Sequence, residues 1–235
     1  MRGRMVLAGL VVAGSLGAGA APDEVTSSDP CGDLAAARVG AHHLEAQPEE
    51  WDRADIAALT VREVLAADGT VDGVDLVVEF CGDVRAPRDP GESVEVTWRL
   101  PDEDCRASVA HGSVVNQTVV SGNVGVVIGP GSPRFAVRCV DQRSPGDLVT
   151  TASDREVVAL SPAAVAREGR VLTFALRVEE LGPLGTLVDD GATIAATGVS
   201  RALYGTSWFG DLGEVAWTGG TTDWIGVIAP LTLGD

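Results

Sequence analysis

Apolar and polar residues alternate along much of this chain. In Asp75-Leu76-Val77-Val78-Glu79-Phe80 and Ser93-Val94-Glu95-Val96-Thr97-Trp98 every second residue is apolar. That is the period of a strand with one face buried. The pattern recurs over 113–120, 124–128, 134–140, 170–178, 192–197 and 214–218, each stretch bounded by Gly, Pro, Asn or Asp. Short strands at short intervals with turn chemistry between them predict an all-β protein, an antiparallel β-sandwich.

Two stretches break the alternation and predict short helices. DLAAARVGAHHLEA (33–46) is alanine-rich behind an N-cap aspartate, Asp33. Residues 161–169 carry a capping Ser161, a first-turn Pro162 and a closing Gly169. Pro162 would in any case confine a strand there to a sheet edge. A loose internal repeat links 54–84 with 155–181: an acid, an Ala-Leu pair, a Gly turn, then an alternating strand ending in acids. With the polar stretch 141–154 between the copies, two related lobes are expected, 21–145 and 146–235.

The N-terminal twenty residues change the picture of the compartment. Arg2 and Arg4 precede an apolar run from Met5 to Leu16, and small residues end at Ala20. This is the layout of a secretory signal peptide, so residues 1–20 are expected to be removed and the protein to be secreted. No later stretch is long and apolar enough to span a bilayer, so no membrane span is expected in the mature chain. In an oxidising compartment the four cysteines, Cys31, Cys81, Cys105 and Cys139, predict two disulfides in the first lobe. Three connectivities are open. If strands 74–81 and 93–100 form a hairpin, Cys81 and Cys105 lie at its opposite ends, which favours Cys31–Cys81 with Cys105–Cys139. Paired CxxC spacings for zinc are lacking.

Charge removes two classes of partner. The chain has 34 acids against 17 bases, a formal net charge of −17, and every base is arginine. Loss of Arg2 and Arg4 makes the mature chain more acidic still. Such a field repels nucleic acid and anionic lipid.

The order DPCGDL, ADIAAL, then DG…VDLVVEF, followed later by REGRVLTFALRVEEL, resembles DOMON-like β-sandwich modules of secreted bacterial proteins, which are related in fold to carbohydrate-binding modules. The resemblance implies sugar or haem binding rather than catalysis. Haem-binding members use Met and His as axial ligands; Met1 and Met5, the only methionines, leave with the signal peptide, which excludes that ligand pair here.

Candidate chemistry is sparse. DGTVDGVD (68–75) has the density of acids of a calcium loop, with Gly73 sixth and Glu79 twelfth from Asp68. Asp75 falls at the eighth position and Glu79 within the alternating strand, so the two Asp-Gly pairs are read as turns that launch the strand. Asp68, Asp72 and Asp75 are expected to bind no metal tightly, and no cofactor is expected; calcium is the alternative. His42 and His43 are neighbours that do not share a helix face. His111 and Ser113 lack the surroundings of a known nucleophile motif. Asn116-Gln117-Thr118 is a glycosylation sequon.

Aromatic residues say more. Tyr204, Trp208, Phe209, Trp217 and Trp224 crowd one short region, either as core or as a stacking surface for sugar rings. Gly219-Gly220 predicts a hairpin over 213–227 that places Trp217 and Trp224 on one face, so Trp217, Trp224, Trp208 and Tyr204 are the candidate ligand-binding residues. The sequence therefore points to a secreted, disulfide-bonded, non-catalytic binding module or cell-envelope protein, its expected partner a glycan or an envelope protein. The competing classes are a secreted hydrolase and a purely structural or protein-interaction module.

Overall fold

The computed structural model describes residues 23–32, 55–83, 92–102, 104–112, 115–120, 123–128, 133–143, 150–209, 214–225 and 229–234. The chain is all-β, built from antiparallel strands. In the first part run β1 (Glu24–Ser28), β2 (Ile56–Leu65), β3 (Val71–Phe80), β4 (Glu92–Arg99) and β5 (Cys105–Gly112). Next come β6 (Val115–Val120), β7 (Asn123–Ile128), β8 (Arg134–Arg143) and β9 (Thr150–Ala159). β10 (Val165–Glu168) and β11 (Val171–Arg177) lead into a single-turn helix, α1 (Val178–Leu181). The last strands are β12 (Thr193–Ile194), β13 (Ala196–Phe209), β14 (Glu214–Ile225) and β15 (Leu231–Thr232).

Two large sheets carry the fold. One has the order β1-β2-β3-β11-β10, the other β14-β13-β4-β5-β8-β9. Strand alternation decides what fills the space between them. Val74, Leu76, Val78 and Phe80 of β3 are fully buried, as are Leu172, Phe174 and Leu176 of β11, while the residues between them are partly exposed. Opposite stand Val94, Val96 and Trp98 of β4, Val109 of β5, Phe135 of β8 and Ile225 of β14, all in the same apolar cluster. Trp98 and Phe135 meet at 5.7 Å between ring centroids in a tilted pair.

Both disulfides form as expected, Cys31–Cys81 and Cys105–Cys139, with Cα separations of 5.7 and 4.1 Å. The hairpin used to choose between connectivities does not exist. β3 and β4 belong to different sheets. What brings Cys105 to Cys139 is the direct pairing of β5 with β8, in which the two residues face each other.

Three further expectations are corrected. The described strands do not separate into lobes at 145: β11 pairs β3, β13 pairs β4, and residues from both halves share one core. The stretch 141–154 holds the end of β8 and the start of β9, two paired strands of one sheet. The helix expected over 161–169 is one 3₁₀ turn, Pro162–Ala164, followed by β10. Val165 pairs Phe174, and pairing with β11 outweighs the local helix signals. β10 is an edge strand, and Pro162 lies outside it in the preceding turn. The helix expected over 33–46 lies outside the described residues. The two similar segments do become neighbouring hairpins of one sheet, β2–β3 and β10–β11, meeting where β3 pairs β11.

Candidate functional site

The acid-rich stretch before β3 is a turn followed by a bulge. Asp68 Oδ1 accepts hydrogen bonds from the Thr70 hydroxyl at 2.7 Å and the Thr70 N–H at 3.1 Å. These two donors hold the Asp68 carboxyl below its usual pKa. Gly69 takes the left-handed conformation, φ 86°, that closes the turn. The second Asp-Gly pair is not a turn. Val64 pairs Gly73 and Leu65 pairs Val71, so Asp72 is the extra residue of a β-bulge. Both remaining acids face one guanidinium. Arg177 Nη2 donates to Asp75 Oδ1 at 2.9 Å, and its Nε lies 3.6 Å from Asp72 Oδ2. One carboxylate oxygen of each of Asp72 and Asp75 thus faces Arg177.

Other buried acids also have structural partners. Asp55 Oδ2 accepts from the Gly32 N–H at 2.6 Å, and the Asp55 carbonyl accepts from the Cys81 N–H, tying down both ends of the first disulfide. Glu63, 6% exposed, accepts from the Gly234 N–H at 2.6 Å and so anchors the segment after β15 to β2.

His111 sits on β5 opposite Val94 and points into the apolar layer. Both ring nitrogens are buried without a hydrogen-bond partner among the described residues. Burial pushes its pKa down to about 4, and the charge of Arg167 acts in the same direction. Ser113, His42 and His43 lie outside the described residues.

The backbone register revises the aromatic cluster. β14 runs unbroken from Glu214 to Ile225, so Gly219 and Gly220 lie in mid-strand and the hairpin over 213–227 does not form. The partner is β13: Tyr204 pairs Gly219, Thr206 pairs Trp217, and Val199 pairs Trp224. A continuous partner strand satisfies the backbone of both glycines, where a primed turn would have broken the ladder. Positions 217 and 224 are seven apart on one strand, an odd step, so they fall on opposite faces. Positions 204, 208 and 217 share the parity of buried Gly198 and Ile225. Position 224 joins the outward row through Val199 and Glu95. The side chains of Tyr204, Trp208, Trp217 and Trp224 lie outside the described residues.

A cleft opens elsewhere, where β4 ends. It encloses about 510 Å³, and its lining includes Trp98, Arg99, Pro101, Leu187, Asp190 and Thr193. Trp98 is a core-facing position and Arg99 the next, outward one, so the cleft straddles the rim of the sandwich. Arg99 begins a row of like charge. It pairs directly with Arg106 of β5, and Arg106 pairs with Arg138 of β8. Arg138 is answered by Asp154 at 2.8 Å, which also lies 3.3 Å from Arg134. Arg99 and Arg106 are exposed and make no ion pair among the described residues. None of these arginines was legible as a site in the sequence. Alternation shows that each points outward, but only pairing of β4, β5 and β8 brings them side by side. No family model, curated protein or solved structure matches this chain. Among the described residues no helix is long and apolar enough to cross a membrane.

Proposed function

We propose that this is a secreted, non-catalytic binding module whose cleft at the end of β4 takes a glycan. The lining of that cleft carries the reading. Accessible apolar residues Leu100, Pro101 and Leu187 line it together with the polar Thr186, Thr193, Asp190 and Arg99. A sugar ring needs that combination, with apolar C–H faces to cover and a rim of hydroxyls to hydrogen-bond. The DOMON-like resemblance and the two disulfides agree with a secreted module of this kind. Ala192, half-buried in the cleft wall, is the place to test it. A glycan array probed with the mature protein should give defined binders, and Ala192→Trp should abolish them at an unchanged melting temperature. Binding that survives a filled cleft would refute the assignment.

One observation favours a protein partner as a second reading. β9 is a ten-residue strand at the edge of the six-stranded sheet and exposes Val157 at 52%. Such an edge can accept an added strand. Two register irregularities against β8 and the exposed Arg155 and Glu156 work against that, since bulges and charges are how sheet edges are kept from pairing.

A further inference from the structure

From the arginine row we infer the chemical class of the glycan: it carries carboxylate or sulfate groups, which Arg99 and Arg106 bind beside the cleft. This rests on the glycan reading above and deepens it. Arg99, Arg106 and Arg138 occupy directly facing positions on three adjacent strands. Neighbouring strands are about 4.8 Å apart, so the row spans roughly 10 Å of the outer face. Like charges directly opposite each other destabilise a sheet. In a chain with twice as many acids as bases, acids are plentiful enough to separate or neutralise every arginine. Asp154 does so for Arg138 and Arg134. Arg99 and Arg106 are left facing one another in solvent. A ligand anion supplies the missing charge, and a guanidinium fork matches the two oxygens of a carboxylate or sulfate.

Three observations narrow the ligand further. Arg99 belongs both to the row and to the cleft wall, so one extended molecule touches both. Asp190 also lines the cleft, and its carboxylate accepts hydrogen bonds and repels anions, so the part of the ligand beside it is suited to be a neutral, hydroxyl-bearing stretch. The net charge of −17 opposes any densely charged polymer at long range. Sparse anionic groups on a sugar chain meet all three conditions.

The test is titration calorimetry of the mature protein at low salt with three probes: trigalacturonate, a chondroitin sulfate tetrasaccharide, and fully methyl-esterified trigalacturonate. At least one acidic probe should bind, weakening as salt is raised. The ester should bind at least tenfold more weakly than trigalacturonate, or not at all. Arg106→Ala should lose tenfold or more in affinity for the acidic probe, the size expected for one charge-assisted contact. Its melting temperature should equal or exceed the parent's, because a repulsion is removed, and Arg106→Lys should recover only part of the affinity. An ester that binds as well as the acid, or an Arg106→Ala variant with parental affinity, overturns the acidic assignment and leaves a neutral-glycan cleft standing. If none of the three probes binds while neutral glycans bind on the array, the acidic assignment again falls alone. If nothing binds in either experiment, both fall.

Discussion

His111 brings an ionisable ring into an apolar layer, and its surroundings favour the neutral form. Its pKa falls from 6.5 to about 4, and the fall has a definite sign for stability. The unfolded chain takes up a proton near pH 6.5, and the folded chain resists until about pH 4. The stabilisation is therefore complete above about pH 6.5 and is lost as pH falls through that window. A tenfold change in proton affinity is worth about 1.4 kcal/mol, so the loss reaches about 3 kcal/mol by pH 4. Between pH 7 and 5 the parent should therefore lose stability through this histidine. Urea denaturation at several pH values should show His111→Leu with a flatter pH dependence than the parent over that range. Parallel slopes would mean that the imidazole is solvated or paired. Arg177 shows the opposite arrangement, a charge with its answer at hand in Asp72 and Asp75. The same two aspartates that suggest a calcium loop in the sequence are there to receive a guanidinium from a strand a hundred residues away.

Among the elements, β3 is closely constrained, because it is paired on both sides and carries a bulge. The bulge at Asp72 places Gly73 against β11, with φ 147°. A Cβ there would lie 2.0 Å from the Leu176 carbonyl oxygen, a backbone atom that cannot swing away. Gly69, in the preceding turn, has a positive φ but open space around it. The two glycines therefore separate conformational strain from steric exclusion. Gly69→Ala should cost about 1 kcal/mol and Gly73→Ala roughly 3 kcal/mol or more, measured by denaturant unfolding. Equal costs would indicate that β11 moves aside. The same strand-level logic explains the aromatic region. Two consecutive glycines between alternating residues read as a turn, yet β13 offers a partner long enough to keep them extended.

For the whole molecule, the decisive feature is that both sheets draw strands from both halves of the chain. Residues 21–145 contribute β1 to β8, but not β11, β13 or β14. Cutting there strips one neighbour each from β3 and β4 and opens a core containing Phe174, Leu176 and Ile225. Burial of each such side chain is worth about 1.5–3 kcal/mol, and a domain's net stability is only about 5–15 kcal/mol. A fragment 21–145 should therefore lack dispersed amide resonances in solution, whether or not its disulfides form. A well-folded fragment would show that the first lobe stands by itself after all.

Features that depend on neighbours along the chain were legible before any fold was known. Alternation over 75–80, 93–98, 134–140 and 170–178 set the strands and the side of each that faces inward. An even cysteine count behind an apolar leader set two disulfides. The Asp-Gly pair at 68–69 set a turn, since those residues supply the hydrogen bonds and the positive φ locally. Which strand lies beside which was settled only in three dimensions. Strand pairing is made by backbone groups common to all residues, and side-chain alternation is the same for any partner. Hence β3 and β4 could read as a hairpin while lying in opposite sheets, and Trp217 and Trp224 could read as a shared face while occupying opposite ones. For the same reason the arginine row was invisible: Arg99, Arg106 and Arg138 are ordinary outward charges until three strands set them in line. Only assembly of the sheet turns them into a site.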